Sequence, residues 1–184
     1  MKLYLDMDGV VANFFDEFDK VTGIKHKDIK NQVQFSEIME KYVVGTNFFE
    51  TLPKFNSVNN VLTFIKTTFN DYTILSSPLS NDLENTIKHK KAWVKKHLKL
   101  HLPSDEIYTH EKHLYAKGNI LIDDFLPNLE KWVAAGGIGI KYKAKSEKYD
   151  SYDLLRALKE LKEMDQADFK AKVVYLYQHV AYND

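Results

Sequence analysis

The stretch Met1-Lys-Leu-Tyr-Leu-Asp-Met-Asp-Gly-Val-Val11 decides the fold. Lys2 to Leu5 reads as a short strand that runs directly into two aspartates, Asp6 and Asp8, and then into Gly9. Glycine permits a tight backbone turn that other residues resist. Carboxylates at the carboxyl end of a buried strand lie where open α/β sheets bind their ligands, and they suit hard cations. Taken alone, the pair is equally consistent with capping a turn or the next helix.

The composition is that of one domain with a sizeable core. The chain has 184 residues, of which 44% are hydrophobic and 13% aromatic. No apolar run approaches the roughly 20 residues that span a bilayer. Because Asp6 and Asp8 stand so near its start, the N-terminus is unlike a secretory signal. We therefore expect a cytoplasmic protein.

Charge and cysteine content narrow the chemistry. The chain has no cysteine, which excludes disulfides, zinc-thiolate sites and cysteine nucleophiles. It has 26 basic and 26 acidic residues, which argues against an extended nucleic-acid-binding surface. Arg156 is the one arginine, so a phosphate site here must use lysines, backbone amides and hydroxyls.

Strands and helices alternate along the chain, which predicts an α/β fold with a parallel sheet and right-handed crossovers. After the first strand, apolar runs predict strands over 71–77, 105–109, 119–122 and 138–142. Helical spacing of apolar residues predicts helices over 12–22, 53–70, about 80–98, 127–135, 151–164 and 167–182. We see no linker that divides the chain.

The segment from Ile24 to about Lys54 reads as an insertion, polar and rich in lysine, with aromatic residues interspersed. We predict a helix over 36–43 and a loop over 45–52 within it. An aromatic-bearing insertion above an acidic site is suited to cap a substrate; a small accessory core is the alternative. The predicted organisation is one domain with a core of about 1–22 and 53–150, a cap of about 23–52 and C-terminal helices of about 151–184.

Polar groups follow four predicted strands at the carboxyl end. In chain order they are Asp6 and Asp8, Ser76 and Ser77, Lys112, and Asp123 and Asp124. Each is weak evidence alone, because Ser-Ser-Pro is usually a turn and a lysine after a strand is usually solvated. Together they make an acidic metal site beside a hydroxyl pair and a lysine, which suits the handling of a phosphate. Lys117 is a rival for the lysine position, but it stands just before Gly118 and the buried strand.

These motifs resemble those of the haloacid dehalogenase-like phosphohydrolase superfamily, and within it the 5'(3')-deoxyribonucleotidases. The resemblance is carried by Asp6-Met-Asp-Gly-Val-Val-Ala-Asn-Phe14, Ser76-Ser-Pro78, Lys90-Lys-Ala-Trp-Val94, Lys112 and Leu121-Ile-Asp-Asp124. It runs from Met1 to about Tyr142 and is absent from the tail. It implies a Rossmann-like three-layer α/β/α sheet with a small, mainly helical cap and a Mg²⁺-dependent phosphatase.

The resemblance implies a role for each acidic residue. Asp6 would attack the phosphorus and form an aspartyl-phosphate. Asp8 would be the general acid for the leaving alcohol and then the base for water. The carboxylates of Asp6 and Asp124 and the main-chain carbonyl of Asp8 would hold Mg²⁺, with Asp123 supporting the metal shell.

The same resemblance assigns the phosphate contacts. Ser76 and Lys112 would bind the phosphoryl oxygens and neutralise their charge, with Ser77 as a second donor. Lys90 is assigned to substrate binding, with an ordinary helix-surface lysine as the alternative.

Aromatic residues would hold the base by stacking, which tolerates many bases. Phe14 matches the family's position on the first helix, although core packing is an alternative for it. Phe48 and Phe49 match the cap loosely, and Phe35 and Tyr42 are further candidates.

The expected substrate is a deoxyribonucleoside 5'- or 3'-monophosphate. The alternatives are another small phosphate ester, a nucleic-acid 3'-phosphate, or a degenerate fold that serves as a binding module. We expect a small-molecule partner, no membrane and no extended nucleic acid. Homodimerisation, base preference and the role of the C-terminal helices stay open.

Overall fold

A computed structural model describes residues 1–144 and 151–176 of the chain. Within them, six strands form one parallel sheet in the order β3-β2-β1-β4-β5-β6. The strands are β1 (Leu3–Leu5), β2 (Thr73–Ser76), β3 (Asp105–Tyr108), β4 (Ile120–Asp123), β5 (Ile138–Lys141) and β6 (Lys172–Tyr175). The helices are α1 (Phe14–Thr22), α2 (Gln32–Tyr42), α3 (Phe48–Thr51), α4 (Val58–Phe69), α5 (Leu83–His97), α6 (Leu126–Ala134) and α7 (Tyr152–Glu163). Across the ranges just given, none of the helices has the length and apolar character that crossing a membrane requires.

The sheet is covered on both faces, because side chains alternate along each buried strand. Leu3 and Leu5 of β1 lie in a large core, which α4 and α7 also enter. Tyr4, between them, lies in a second, smaller core on the other face, with Leu129 and Trp132 of α6. The predicted α/β fold with a parallel sheet between helical layers is confirmed.

Strand β1 is the centre of the topology. Its residue Tyr4 pairs with Thr73 of β2 on one side and with Leu121 of β4 on the other. The chain therefore builds the sheet outward in both directions from β1, and the strand order reverses there. In open α/β sheets such a reversal opens a crevice beyond the carboxyl ends of the strands, where ligands bind.

The inserted segment contains more helix than the sequence predicts. The helix predicted over 36–43 exists, but it begins at Gln32, after Asn31 accepts a hydrogen bond from the Gln34 amide. The loop predicted over 45–52 is wrong in part, because α3 occupies its second half. Burial explains this turn of helix: both of its phenylalanines are buried, and it packs on α5, where Trp93 Nε1 donates to the Leu52 carbonyl at 2.7 Å.

The helix predicted over 167–182 is wrong. Residues 172–175 form β6, which pairs in parallel with the free edge of β5, Val173 opposite Gly139. Two adjacent β-branched residues, Val173 and Val174, favour a strand, and the tertiary pairing overrides the helical spacing. The rest of that prediction, from residue 177, lies outside the described residues. The preceding C-terminal helix, α7, is confirmed.

Candidate active site

The loop after β1 is built around Asp6 and Gly9. The Asp6 amide donates to the Ile122 carbonyl at 2.9 Å, which extends the pairing of β1 with β4 by one residue. Gly9 has φ of +76°, and a Cβ atom there would lie 2.3 Å from Asp124 Oδ2. Glycine is therefore required twice, by the left-handed backbone and by the carboxylate that passes over it.

Three carboxylates meet beyond the ends of β1 and β4. Oxygen atoms of Asp6, Asp123 and Asp124 lie within 4.8 Å of one another. They meet because the two strands are neighbours in register, Leu5 opposite Ile122. Burial, with repulsion from Asp6 and Asp123, raises the pKa of Asp124 to about 8. A divalent cation would relieve that repulsion, and an all-oxygen donor set suits Mg²⁺, so the residues fit the metal that the sequence implies.

Lys112 connects two of these carboxylates. It lies on a short 3-10 turn (Lys112–Tyr115) after β3, and its buried ammonium donates to Asp6 Oδ1 at 2.8 Å and to Asp123 Oδ2 at 2.7 Å. Burial alone would lower the pKa of Lys112, but the two carboxylates raise it above its usual value. Lys112 is therefore charged at neutral pH. The rival lysine, Lys117, is exposed and precedes β4, so it lies at the amino end of that strand and not at the carboxyl end, where the carboxylates meet.

Asp123 is fully buried and its oxygens are occupied. Besides Lys112, they accept hydrogen bonds from the Phe125 amide at 2.7 Å and from Asn128 Nδ2 at 2.9 Å. Burial, with repulsion from Asp6, raises its pKa. These contacts fix the orientation of the Asp123 carboxylate beside the other two.

Lys90 is a second buried ammonium in the site. Its side chain on α5 is 0% exposed, which excludes the helix-surface interpretation. Its Nζ donates to Asp8 Oδ2 at 2.7 Å, to Ser76 Oγ at 2.8 Å and to the Ser77 carbonyl at 3.0 Å. The Ser77 hydroxyl donates instead to the Thr109 carbonyl at 3.2 Å, so it ties β2 to β3.

Asp8 has one oxygen bound and one without a partner. Burial raises the pKa of its carboxyl group, the negative charge of Asp6 adds to the rise, and Lys90 opposes it. Lys90 donates to Oδ2, whereas the buried Oδ1 has no hydrogen-bond partner among the described residues. A protonated Asp8 would therefore have its hydroxyl available at Oδ1.

The three phenylalanines assigned to base binding form one cluster. Phe14, Phe48 and Phe49 are 6%, 3% and 4% exposed. Ring centroids of Phe14 lie 5.5 Å from Phe48 and 6.3 Å from Phe49, so the rings cover one another. Lys90 Nζ lies 4.9 Å from the Phe49 centroid, which places this aromatic cluster beside the ammonium that binds Asp8 and Ser76.

The other two aromatic candidates have different neighbours. Phe35 stacks on Phe18 at 5.5 Å, and Phe18 in turn stacks on Phe14 at 5.7 Å. Tyr42 is half-buried and lies 4.9 Å from the Lys41 ammonium.

Two residues near the site escaped the sequence reasoning. Lys141, the last residue of β5, donates to the main-chain oxygen of Asp124. The strand-end argument that selected Lys112 applies to it equally and would have found it. Asn128, which holds Asp123, lies in the first turns of α6, and no spacing distinguishes it from a surface asparagine.

Comparisons with known proteins identify the family and the fold. The family model for 5' nucleotidase, deoxy (pyrimidine), cytosolic type C proteins matches residues 1–172. A Bordetella pertussis protein named "Putative 5'(3')-deoxyribonucleotidase" is 31% identical over 140 residues, covering 67% of this chain and 74% of that protein. A Had-superfamily hydrolase from Ehrlichia chaffeensis shares the fold, with 15% identity, a TM-score of 0.50 and coverage of 87% and 96% of the two chains. A dehalogenase crystallised with an intermediate complex has 9% identity, a TM-score of 0.52 and coverage of 93% and 97%.

Proposed function

The chain belongs to the family of cytosolic type C deoxy-pyrimidine 5' nucleotidases and is a phosphoric monoester hydrolase of the haloacid dehalogenase-like fold, and we propose that its substrates are deoxyribonucleoside 5'- or 3'-monophosphates. The observation that carries the proposal is the meeting of Asp6, Asp123 and Asp124 beside two buried lysines. Fold alone would not specify a substrate.

Asp6 is the nucleophile in this proposal. Lys112 holds its Oδ1, which leaves Oδ2 to attack the phosphorus. As the bond from Oδ2 to phosphorus forms, the bond from phosphorus to the nucleoside oxygen breaks. The leaving oxygen takes a proton from Asp8, and an aspartyl-phosphate remains on Asp6.

Asp8 serves both halves of the reaction. Its raised pKa supports a protonated resting state, and the unpartnered Oδ1 supports donation from that atom. In the second half the ionised Asp8 accepts a proton from water as that water attacks the phosphorus. The bond from Asp6 to phosphorus then breaks, phosphate leaves, and both aspartates regain their starting states.

Positive charge and hydroxyls around the phosphate complete the site. Lys112, Lys90 and Ser76 would contact the phosphoryl oxygens, and their burial strengthens each electrostatic contact. The carboxylates of Asp6 and Asp124 and the main-chain carbonyl of Asp8 would hold Mg²⁺. That ion, when bound, screens the carboxylates from the anionic phosphate.

The inserted segment, about residues 23–52, serves as the cap in this proposal. Its Phe48 and Phe49, with Phe14, would stack on the base. Because these rings cover one another, a base that binds there has to displace one of them, and Phe49 lies nearest the phosphate end. A cytoplasmic location stays a prediction of the sequence, and the oligomeric state stays open.

The test is a panel of 5'- and 3'-deoxyribo- and ribonucleotides, with phenyl phosphate as a generic ester, read by phosphate release in the presence of MgCl₂. We expect turnover of deoxyribonucleoside monophosphates and none by Asp6→Asn. Turnover of phenyl phosphate alone would favour a different small ester. Failure with every ester would overturn the enzymatic proposal and favour a binding module.

A further inference from the structure

A fully buried hydroxyl on α5 has no hydrogen-bond partner in the part of the chain that the structure describes. Thr86 is 0% exposed, and its Oγ1 makes no hydrogen bond among the described residues. It does not even use the carbonyl one turn earlier, the usual partner of a helical threonine. Buried polar groups in native proteins are nearly always paired, because burial without a partner is unfavourable, so an unpaired one calls for an explanation.

Thr86 lies on α5 between residues that contact the inserted segment and Lys90, which we assign to the phosphate. Its neighbours on α5 contact the inserted segment: Asn85 Nδ2 donates to the Thr46 carbonyl at 2.9 Å, and His89 Nδ1 lies 2.7 Å from Glu50 Oε2. Thr86 also precedes Lys90 by four residues, which places both on one face of the helix. Lys90 in turn reaches Asp8 and the carboxyl end of β2.

Two buried oxygens that have no hydrogen-bond partner among the described residues are associated with this face of α5: Oγ1 of Thr86, and Oδ1 of Asp8, whose other oxygen binds Lys90. Asp8 Oδ1, at the head of Lys90, is the atom from which we propose the leaving oxygen takes its proton. Thr86 lies about one helical turn, ~5.4 Å, before Lys90 on α5, next to Asn85, which contacts the inserted segment. A substrate with its phosphate at Lys90 and its base at Phe49 would bring its nucleoside part past Thr86.

We propose that the Thr86 hydroxyl hydrogen-bonds a polar group of the bound nucleoside and is a specificity-determining residue. A hydroxyl both donates and accepts, so it suits a sugar hydroxyl or the edge of a base. Substrates that offer no such group leave the hydroxyl unpaired, and an enzyme discriminates most strongly in this way. The proposal rests on the proposed function, since it assigns the part of the substrate that Thr86 reads.

The test compares Thr86→Val, which has the same shape without the hydroxyl, with Thr86→Ser, which keeps it. The readout is the ratio of kcat/KM for a deoxyribonucleoside monophosphate to kcat/KM for phenyl phosphate. We expect this ratio to fall about tenfold in Thr86→Val and to stay near the wild-type ratio in Thr86→Ser. The same comparison is then made with a 2',3'-dideoxynucleoside 5'-monophosphate as the nucleotide. If Thr86→Val and the wild type give the same ratio with this substrate, the contact is to the 3'-hydroxyl; if the ratio is still lower in Thr86→Val, the contact is to the base.

Thermal unfolding separates this role from a structural one. Replacing an unpaired buried hydroxyl by a methyl group should leave the Tm of Thr86→Val equal to or above that of the wild type. An unchanged ratio, or an equal loss with both esters together with a lower Tm, would overturn the proposal. If the wild type hydrolyses phenyl phosphate but no nucleotide, the proposed function itself fails, and the assignment of Thr86 fails with it.

Discussion

Replacing Lys112 by methionine is the sharpest test of the electrostatics of the site. Its ammonium is buried and lies 2.8 Å from Asp6 Oδ1 and 2.7 Å from Asp123 Oδ2. Removing one partner from a buried ionic network costs about 3–5 kcal/mol, because the remaining charges lose their compensation. For a chain of this length each kcal/mol lowers Tm by about 2–4 °C, so we expect a loss of about 6–20 °C.

The assay is thermal unfolding in EDTA, followed by circular dichroism, with phosphate release measured in parallel. Lys117→Met is the matched control, because that lysine is exposed at the amino end of β4. A surface change of this kind should alter stability by no more than about 0.5 kcal/mol. Loss of Lys112 should also reduce kcat by about 10²–10³, as for other groups that stabilise developing negative charge. Equal Tm values for the two variants would refute the reasoning.

Three further predictions concern the acidic loop. Asp8→Asn should abolish turnover but leave Mg²⁺ affinity by titration calorimetry near that of the wild type, since only its carbonyl is assigned to the metal; weakened binding would contradict this role. Gly9→Ala should lower the free energy of unfolding by about 1–3 kcal/mol and weaken Mg²⁺ binding, because its φ is +76° and the new Cβ would lie 2.3 Å from Asp124 Oδ2; unchanged urea unfolding and calorimetry would count against the geometry. The pKa of Asp124, about 8 without metal, exceeds its unfolded value, so the native state holds the extra proton between about pH 4 and pH 8. The free energy of unfolding in EDTA should therefore fall as pH rises through that range. Over the same range Mg²⁺ affinity should increase with pH, and binding should release a proton. Opposite pH trends in unfolding or in calorimetry would refute this.

Sequence reasoning succeeded where a local pattern has one structural meaning. The alternation of Leu3, Tyr4 and Leu5 between two cores follows from strand geometry alone. The approach of Asp6 to Asp124 follows from parallel strands that end at the same edge. Such relations need only the strand order and the spacing.

Sequence reasoning failed where contact with another part of the fold decides the local structure. Val173 and Val174 fit a helical spacing, but the free edge of β5 makes them a strand. The resemblance to the family selects Lys90, but the helical pattern could not, because the spacing of the lysines on α5 does not tell which of them faces Asp8. The sequence likewise gives no sign that the Thr86 hydroxyl is buried without a hydrogen-bond partner among the described residues, because that depends on the surrounding contacts.

The most direct test of the catalytic account is to stop the reaction with acid while a deoxyribonucleoside monophosphate is being hydrolysed and to map the chain by mass spectrometry. We expect a phosphoryl group on Asp6 in the wild type, removed by hydroxylamine and absent from Asp6→Asn. A phosphoryl group on another residue, or hydrolysis that persists in Asp6→Asn, would contradict the assignment of Asp6 as the nucleophile.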